Sequence, residues 1–264
     1  MLTPRPSSAT APSIWYAAVL APNLKPVGSE ISAMSAILTH MPIEVLPGAS
    51  RFRTTGAGRD TRHSFSFGMH YDPHNVGFGA LLVHNDDRLD PDAGYPDHPH
   101  ANTEILTWVI SGALHHRDDL GHDGVLEAGG IQVLSAGSGV VHTEYADGAP
   151  TRFVQSWIRP DDFDQPPSYA QSSVTDEYTC VASSYGAALR LHTRGASCHV
   201  ATLGSGESIE LPDSPRLHVF AATGAVAVGE RLLETGDAAR LVHEGGRRVH
   251  ADADSTRLLI WALP

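Results

Sequence analysis

The sequence predicts an all-β protein of two barrels in tandem, and three observations predict it. Short apolar runs recur at spacings near ten residues, divided by clusters of turn-forming residues. Glycine and proline are abundant at 25 and 18 residues, and only 18% of the chain is charged, a turn-rich rather than long-helical composition. A proline-rich break near the middle separates two strand-rich halves. With 264 residues and 41% hydrophobic content, the chain can bury a substantial core.

In chain order, residues 1–40 are proline-containing and without period, and are expected to be a disordered or extraneous extension ahead of an ordinary start at Met41. Within them Ile14 to Pro22 is the most apolar run, but it lacks the charged flank and cleavage site of a signal peptide. No stretch approaches the roughly 18 apolar residues of a membrane span. From Ile43 onward the expected strands are Ser64 to Phe67, Gly79 to His84, Glu104 to Ser111, Val125 to Glu127, Ile131 to Leu134 and Phe153 to Arg159. Turn chemistry divides them at Asp72-Pro73-His74-Asn75, Asp90 to Gly94, Gly121 to Gly124 and Ala128 to Gly130. The charged run Asn85 to Arg88 reads as a turn with an internal ion pair. Pro160 to Pro167 reads as a linker, and Asp164 to Ser172 as a weak short helix. Further strands are expected at His199 to Leu203, Leu217 to Ala222, Gly224 to Val228, Arg231 to Leu233, Ala238 to His243 and Arg257 to Leu263. These readings place a first domain at 41–172 and a second at 173–264.

The formal charge of −12 argues against nucleic acid or an anionic membrane as the main partner, since both reward clustered positive charge. Cys180 and Cys198 are too few for a disulfide scaffold and read as small buried hydrophobes of a reduced, cytoplasmic protein. Neither a serine-nucleophile elbow nor a phosphate-binding glycine loop is present; the nearest run is Ala136-Gly137-Ser138-Gly139-Val140.

Sixteen histidines shift attention to metal chemistry, and ten of them lie between His63 and His142. His98 and His100 stand two residues apart, as do His142 and Glu144. Residues at i and i+2 on a strand project from the same face, so each pair forms a two-toothed clamp. Brought together on facing strands, the clamps offer three imidazoles and one carboxylate to a single divalent ion, with coordination positions left for substrate. Pro99 between the first two ligands points to an edge or bulged strand. Glu104 has three readings: it orients a ligand by hydrogen bond, serves as a fifth ligand, or makes a structural contact. Adjacent His115 and His116 must face opposite ways and are expected to make surface or second-barrel contacts. Asp118, Asp119 and His122 read as polar loop residues. Leu106, Trp108 and Ile110 read as core, and Phe67, Tyr71 and Phe78 as weak candidates for a cavity wall.

The run Gly94-Tyr95-Pro96-Asp97-His98-Pro99-His100-Ala101-Asn102-Thr103-Glu104, with Gly112 eight residues on, resembles the first cupin motif in its pirin form. Ala136 to Glu144 resembles the second, and His63 to Phe67, Tyr71 to His74, Gly77 to Leu81 and Asn85 to Arg88 are similar to other pirin segments. The resemblance covers about residues 43 to 160 and continues more weakly, with Leu232 to Leu241 resembling a degenerate second cupin. It implies two jelly-roll cupin barrels with one metal, usually iron(II), with manganese, cobalt, nickel, copper and zinc as alternatives, in the N-terminal barrel on His98, His100, His142 and Glu144. It also implies quercetin 2,3-dioxygenation of a small aromatic substrate by dioxygen, or else an iron-dependent, redox-sensitive role in binding a protein partner; for the first, Glu144 is expected to double as ligand and base. Ala101 replaces an arginine frequent in the family, and the proline common in the second motif is absent near Gly137.

Overall fold

The computed structural model describes residues 43–174 and 178–264, so the expected N-terminal extension lies outside the described residues. The first half runs through β1 (Ile43–Leu46), β2 (Phe52–Gly56), β3 (Arg59–His63), β4 (Leu81–Leu89), β5 (Gly94–His100) and β6 (Glu104–Ser111). It continues through β7 (Ala113–Asp118), β8 (Asp123–Glu127), β9 (Gly130–Ser135), β10 (Val140–Ala146), β11 (Thr151–Ile158) and β12 (Ser168–Ser173). The second half holds β13 (Tyr178–Ser183), β14 (Leu189–Arg190), β15 (Ser197–Leu203), β16 (Ser208–Glu210) and β17 (Arg216–Thr223). It ends with β18 (Ala225–Val228), β19 (Arg231–Glu234), β20 (Ala238–Val242), β21 (Arg248–Ala251) and β22 (Thr256–Leu263). No helix among the described residues is long and apolar enough to cross a membrane.

The halves are built alike, each from a seven-stranded and a four-stranded sheet. The larger sheets run β12-β9-β6-β11-β4-β3-β2 and β1-β20-β17-β22-β15-β13-β14, and the smaller ones β5-β10-β7-β8 and β16-β21-β18-β19. The edge strand β1 thus pairs with β20 of the second half, Ile43 opposite Leu241, although it is the first of the described strands in sequence.

Alternation explains the packing. On β6, Leu106, Trp108 and Ile110 enter a core that also contains Phe220, Leu259 and Trp261 of the second half. Val109 and Ile105 point the other way, into the first barrel. Both faces of the large sheets are therefore covered, which is why β6 and β22 read as continuous apolar runs rather than alternating ones. Each fully buried large aliphatic or aromatic side chain here contributes about 1.5–3 kcal/mol.

The barrel interiors differ. That of the second half is one apolar cluster, including Leu217, Val219, Leu241, Leu258 and Ile260. In the first half the apolar interior is split in two, one part around Leu114 and Phe153 and the other around Ile105 and Leu134. Buried polar side chains, Thr107, Gln132, His142, Glu144 and Gln155 among them, belong to neither part.

Three local expectations are corrected. Asn85 to Arg88 is not a turn but the centre of β4, although the expected ion pair within the run is present, Arg88 to Asp86 at 3.6 Å; Asp86 is buried and also receives a 2.8 Å and a 3.0 Å bond from Arg152. Asp164 to Ser172 is not a helix, because Ser168–Ser173 pairs residue by residue with β9. Ser64 to Phe67 forms no strand: the Ser66 hydroxyl donates to the Asp72 carbonyl and accepts from the Asp72 amide, so local bonds replace a ladder.

Candidate metal centre

The first clamp lies on β5, the edge of its four-stranded sheet. An edge strand tolerates the missing N–H groups of Pro96 and Pro99. β5 pairs with β10, placing His98 directly opposite His142 and His100 opposite Val140, and a bulge then shifts the register so that Glu144 meets Tyr95. The clamps are therefore neighbours on paired strands of one sheet. Close approach at this point requires Gly94, whose added methyl would lie 2.1 Å from the Glu144 carbonyl oxygen.

This register gathers three imidazoles. Ring centroids lie 4.3 Å apart for His98 and His142, 4.9 Å for His98 and His100, and 5.0 Å for His100 and His142. One ligand atom from each lies within 4.8 Å of the others. His98 Nδ1 donates to the Pro96 carbonyl at 2.8 Å, which leaves Nε2 as its free lone pair. Among the described residues, Nε2 of His100 and of His142 are buried without a hydrogen-bond partner. Buried polar atoms are ordinarily satisfied, so converging orphaned nitrogens fit an ion. Burial, reinforced by the neighbouring rings, pushes His100 down to about 3 and His142 down to about 2, which keeps both neutral and able to donate a lone pair.

Glu144 is buried and turned toward the barrel interior, where Gln155 Nε2 donates to Oε2 at 2.8 Å. It does not share one cluster with all three histidines; it groups with His142 and His116 within the same 4.8 Å span. Asp87, also in this interior, accepts from the Thr61 hydroxyl at 2.5 Å and the Tyr95 hydroxyl at 2.6 Å, and burial pushes its carboxyl up to about 7. One wall beside the imidazoles is aromatic. Trp157 meets the His100 ring edge-on at 4.9 Å, and Phe67 meets Trp157 at 5.5 Å. Trp157 Nε1 donates to Gln155 Oε1 at 3.0 Å, tying this wall to the partner of Glu144.

Other expectations sort as follows. Glu104 accepts from Ser135 and from the His192 backbone and ring, a structural contact between the halves. His115 points outward to Asp123. Its neighbour His116 is no surface or second-barrel residue: it is buried against His142, with 5.2 Å between ring centroids. Asp118 is likewise not a solvated loop residue, since its side chain is fully buried and faces His116 and His122. His116 and Asp118 form a third i, i+2 pair, and the spacing rule that singled out the clamps would have found them. Gln132 and Gln155 carried no such signal; only their inward positions on β9 and β11 select them.

Comparison with known proteins agrees with this geometry. A pirin family profile matches residues 48–158. A Mycobacterium tuberculosis protein is 42% identical over 84% of this chain and 95% of its own length. The quercetin 2,3-dioxygenase of Escherichia coli K12 is 32% identical over 78% of this chain and 91% of its own. The crystal structure of the bacterial pirin YhhW from Escherichia coli in complex with nickel(II) superposes with a TM-score of 0.78 at 29% identity, covering 84% of this chain and 99% of that one. A tandem pair of like-built barrels, a polar layer in the first alone, and relatives matched over nearly their whole length lead to one assignment: this chain belongs to the pirin family.

Proposed function

We propose that the chain is a metal-dependent dioxygenase acting on flavonol-like aromatic substrates, with one divalent ion, iron(II) by preference, held in the first domain (41–172) by His98, His100, His142 and Glu144. The second domain (173–264), with its apolar interior, carries none. The observation that carries this reading is the convergence of three imidazoles beside an aromatic wall, with the Nε2 atoms of His100 and His142 buried and unpartnered among the described residues. The name of the Escherichia coli relative supports the substrate class.

When bound, the ion supplies a Lewis acid for adjacent hydroxyl and carbonyl oxygens and the electronic means of engaging dioxygen. The chain supplies the rest. His98 and His100 are half-buried, so a planar ligand reaches this face from solvent. Trp157 and Phe67 offer apolar surface to its rings. Glu144, released from Gln155, takes the substrate hydroxyl proton at a carboxylate oxygen. Both atoms of dioxygen enter the opened ring product as carbon monoxide departs.

Anaerobic protein loaded separately with iron(II), manganese(II), cobalt(II) and nickel(II) should red-shift the absorption band of an added flavonol. Admitting oxygen should then consume it with release of carbon monoxide. No band shift and no oxygen uptake with any of the four metals overturns the proposal.

A further inference from the structure

We propose that Asp118 and His116 form a directional hydrogen-bond chain that sets the tautomer of His142, making both positioning residues for the metal centre; this rests on the reading of His142 as a ligand. The Asp118 Oδ1 atom accepts from the Leu120 and His122 amides at 3.0 and 2.9 Å, which fixes the carboxylate. Its Oδ2 lies 3.1 Å from His116 Nε2. A carboxylate only accepts, so His116 carries its proton on Nε2 and presents Nδ1 as an acceptor. His142 Nδ1 lies 3.4 Å from that atom and donates to it. The proton of His142 is thereby held on the inner nitrogen, and Nε2 keeps a lone pair. That Nε2 is buried and unpartnered among the described residues, on the imidazole that clusters with His98 and His100. The opposite tautomer would bury an N–H there without an acceptor.

Two features hold the chain in plane. Tyr169 on β12 stacks on His116 with centroids 4.7 Å apart and 16° between planes. The Tyr169 hydroxyl donates to Gln132 Oε1 at 2.9 Å, so the same side chain braces the interior around Glu144. Outer partners that fix the proton of a ligating imidazole commonly change metal affinity by 10–100-fold. His116 has a rival role, since with His142 and Glu144 it could hold an ion of its own.

Asp118→Asn separates these readings. The two backbone amides keep the side-chain oxygen at the Oδ1 position, so the new NH2 group faces His116 Nε2. A donor then meets a donor, His116 must move its proton to Nδ1, and His142 loses its acceptor. Cobalt(II) affinity, read by competition with a chromophoric chelator, should fall about 10–100-fold in Asp118→Asn and in His116→Leu. His116→Asn, whose side-chain oxygen can still accept from His142, should stay within a few-fold of wild type. Nitrogen-15 spectra of the metal-free imidazoles should place the proton on Nδ1 of His142 in wild type and on Nδ1 of His116 in Asp118→Asn. Wild-type affinity in Asp118→Asn and His116→Leu overturns the proposal alone. So does a His142 proton on Nε2 in the metal-free wild type, or two ions per wild-type chain with one lost in His116→Leu. A wild-type chain that takes up no divalent ion overturns the metal-centre reading and this one with it.

Discussion

His98 and His142 are direct cross-strand partners on β5 and β10, with ring centroids 4.3 Å apart. The register of two strands, not a flexible loop, therefore sets the spacing of two imidazoles. Replacing either by alanine should abolish stoichiometric metal uptake, measured by elemental analysis after dialysis, with the fold retained. An ion present at 100 times its dissociation constant stabilises the folded state by about 2.7 kcal/mol. Chelation of the wild type should accordingly lower the melting temperature by several degrees, and chelation of either variant should not.

Gly94→Ala tests the same register without touching a ligand. Its methyl would meet the Glu144 carbonyl and the Tyr145 backbone, so β5 and β10 must separate. The expected result is a loss of about 1–3 kcal/mol in denaturant unfolding together with weaker metal binding. Retained stability and affinity would show that the strand pair has slack.

Asp87 makes stability pH-dependent. Burial pushes its carboxyl up to about 7, above the usual 3.8. A group raised on folding stabilises fully below its unfolded value, and that contribution fades as pH rises through the folded one. Asp87→Asn keeps the acceptor for Thr61 and Tyr95. It should be more stable than wild type at pH 8 by roughly 2–4 kcal/mol and show little difference at pH 4. Parallel stability curves for the two proteins between pH 4 and 8 would contradict this.

His84 and His218 act in the opposite direction. They meet between the halves with centroids 4.6 Å apart, and burial holds both well below the usual histidine value. Their contribution is present above pH 6.5 and is lost as pH falls toward the folded values. Neither ring nitrogen of His218 has a hydrogen-bond partner among the described residues. His218→Phe should therefore unfold at lower pH than wild type, as followed by tryptophan fluorescence during acid titration.

Phe67 offers a test of the substrate wall. It touches Trp157 and stacks on His63. Phe67→Ala should weaken flavonol binding about tenfold while leaving metal content unchanged; equal loss of both would assign the residue to structure.

Much of this was legible in the sequence because strand geometry turns a two-residue spacing into a shared face. The His98/His100 and His142/Glu144 clamps and strands such as Glu104–Ser111 follow from that rule and from local composition. What escaped depends on partners distant in sequence. Asn85, Asp86 and Asp87 look like a turn until His63 bonds the first, Arg152 the second, and Thr61 and Tyr95 the third inside a sheet. Ser168–Ser173 has no apolar pattern because its pairing with β9 rather than its burial makes it a strand. His116 and Asp118 look like surface because a histidine and an aspartate stand beside turn residues, and only their pairing with β10 makes them interior.

The pairing of β1 with β20 bears on how the polypeptide would behave if cut. A nick between Pro160 and Pro167 leaves β1 on the first fragment, clasped in the sheet of the second, and β12 on the second, clasped beside β9 of the first. Each fragment then holds the other by an exchanged arm, like two hands gripping wrists. Such a nicked chain should migrate as one particle under native conditions, and the two pieces should find each other again only when mixed before refolding.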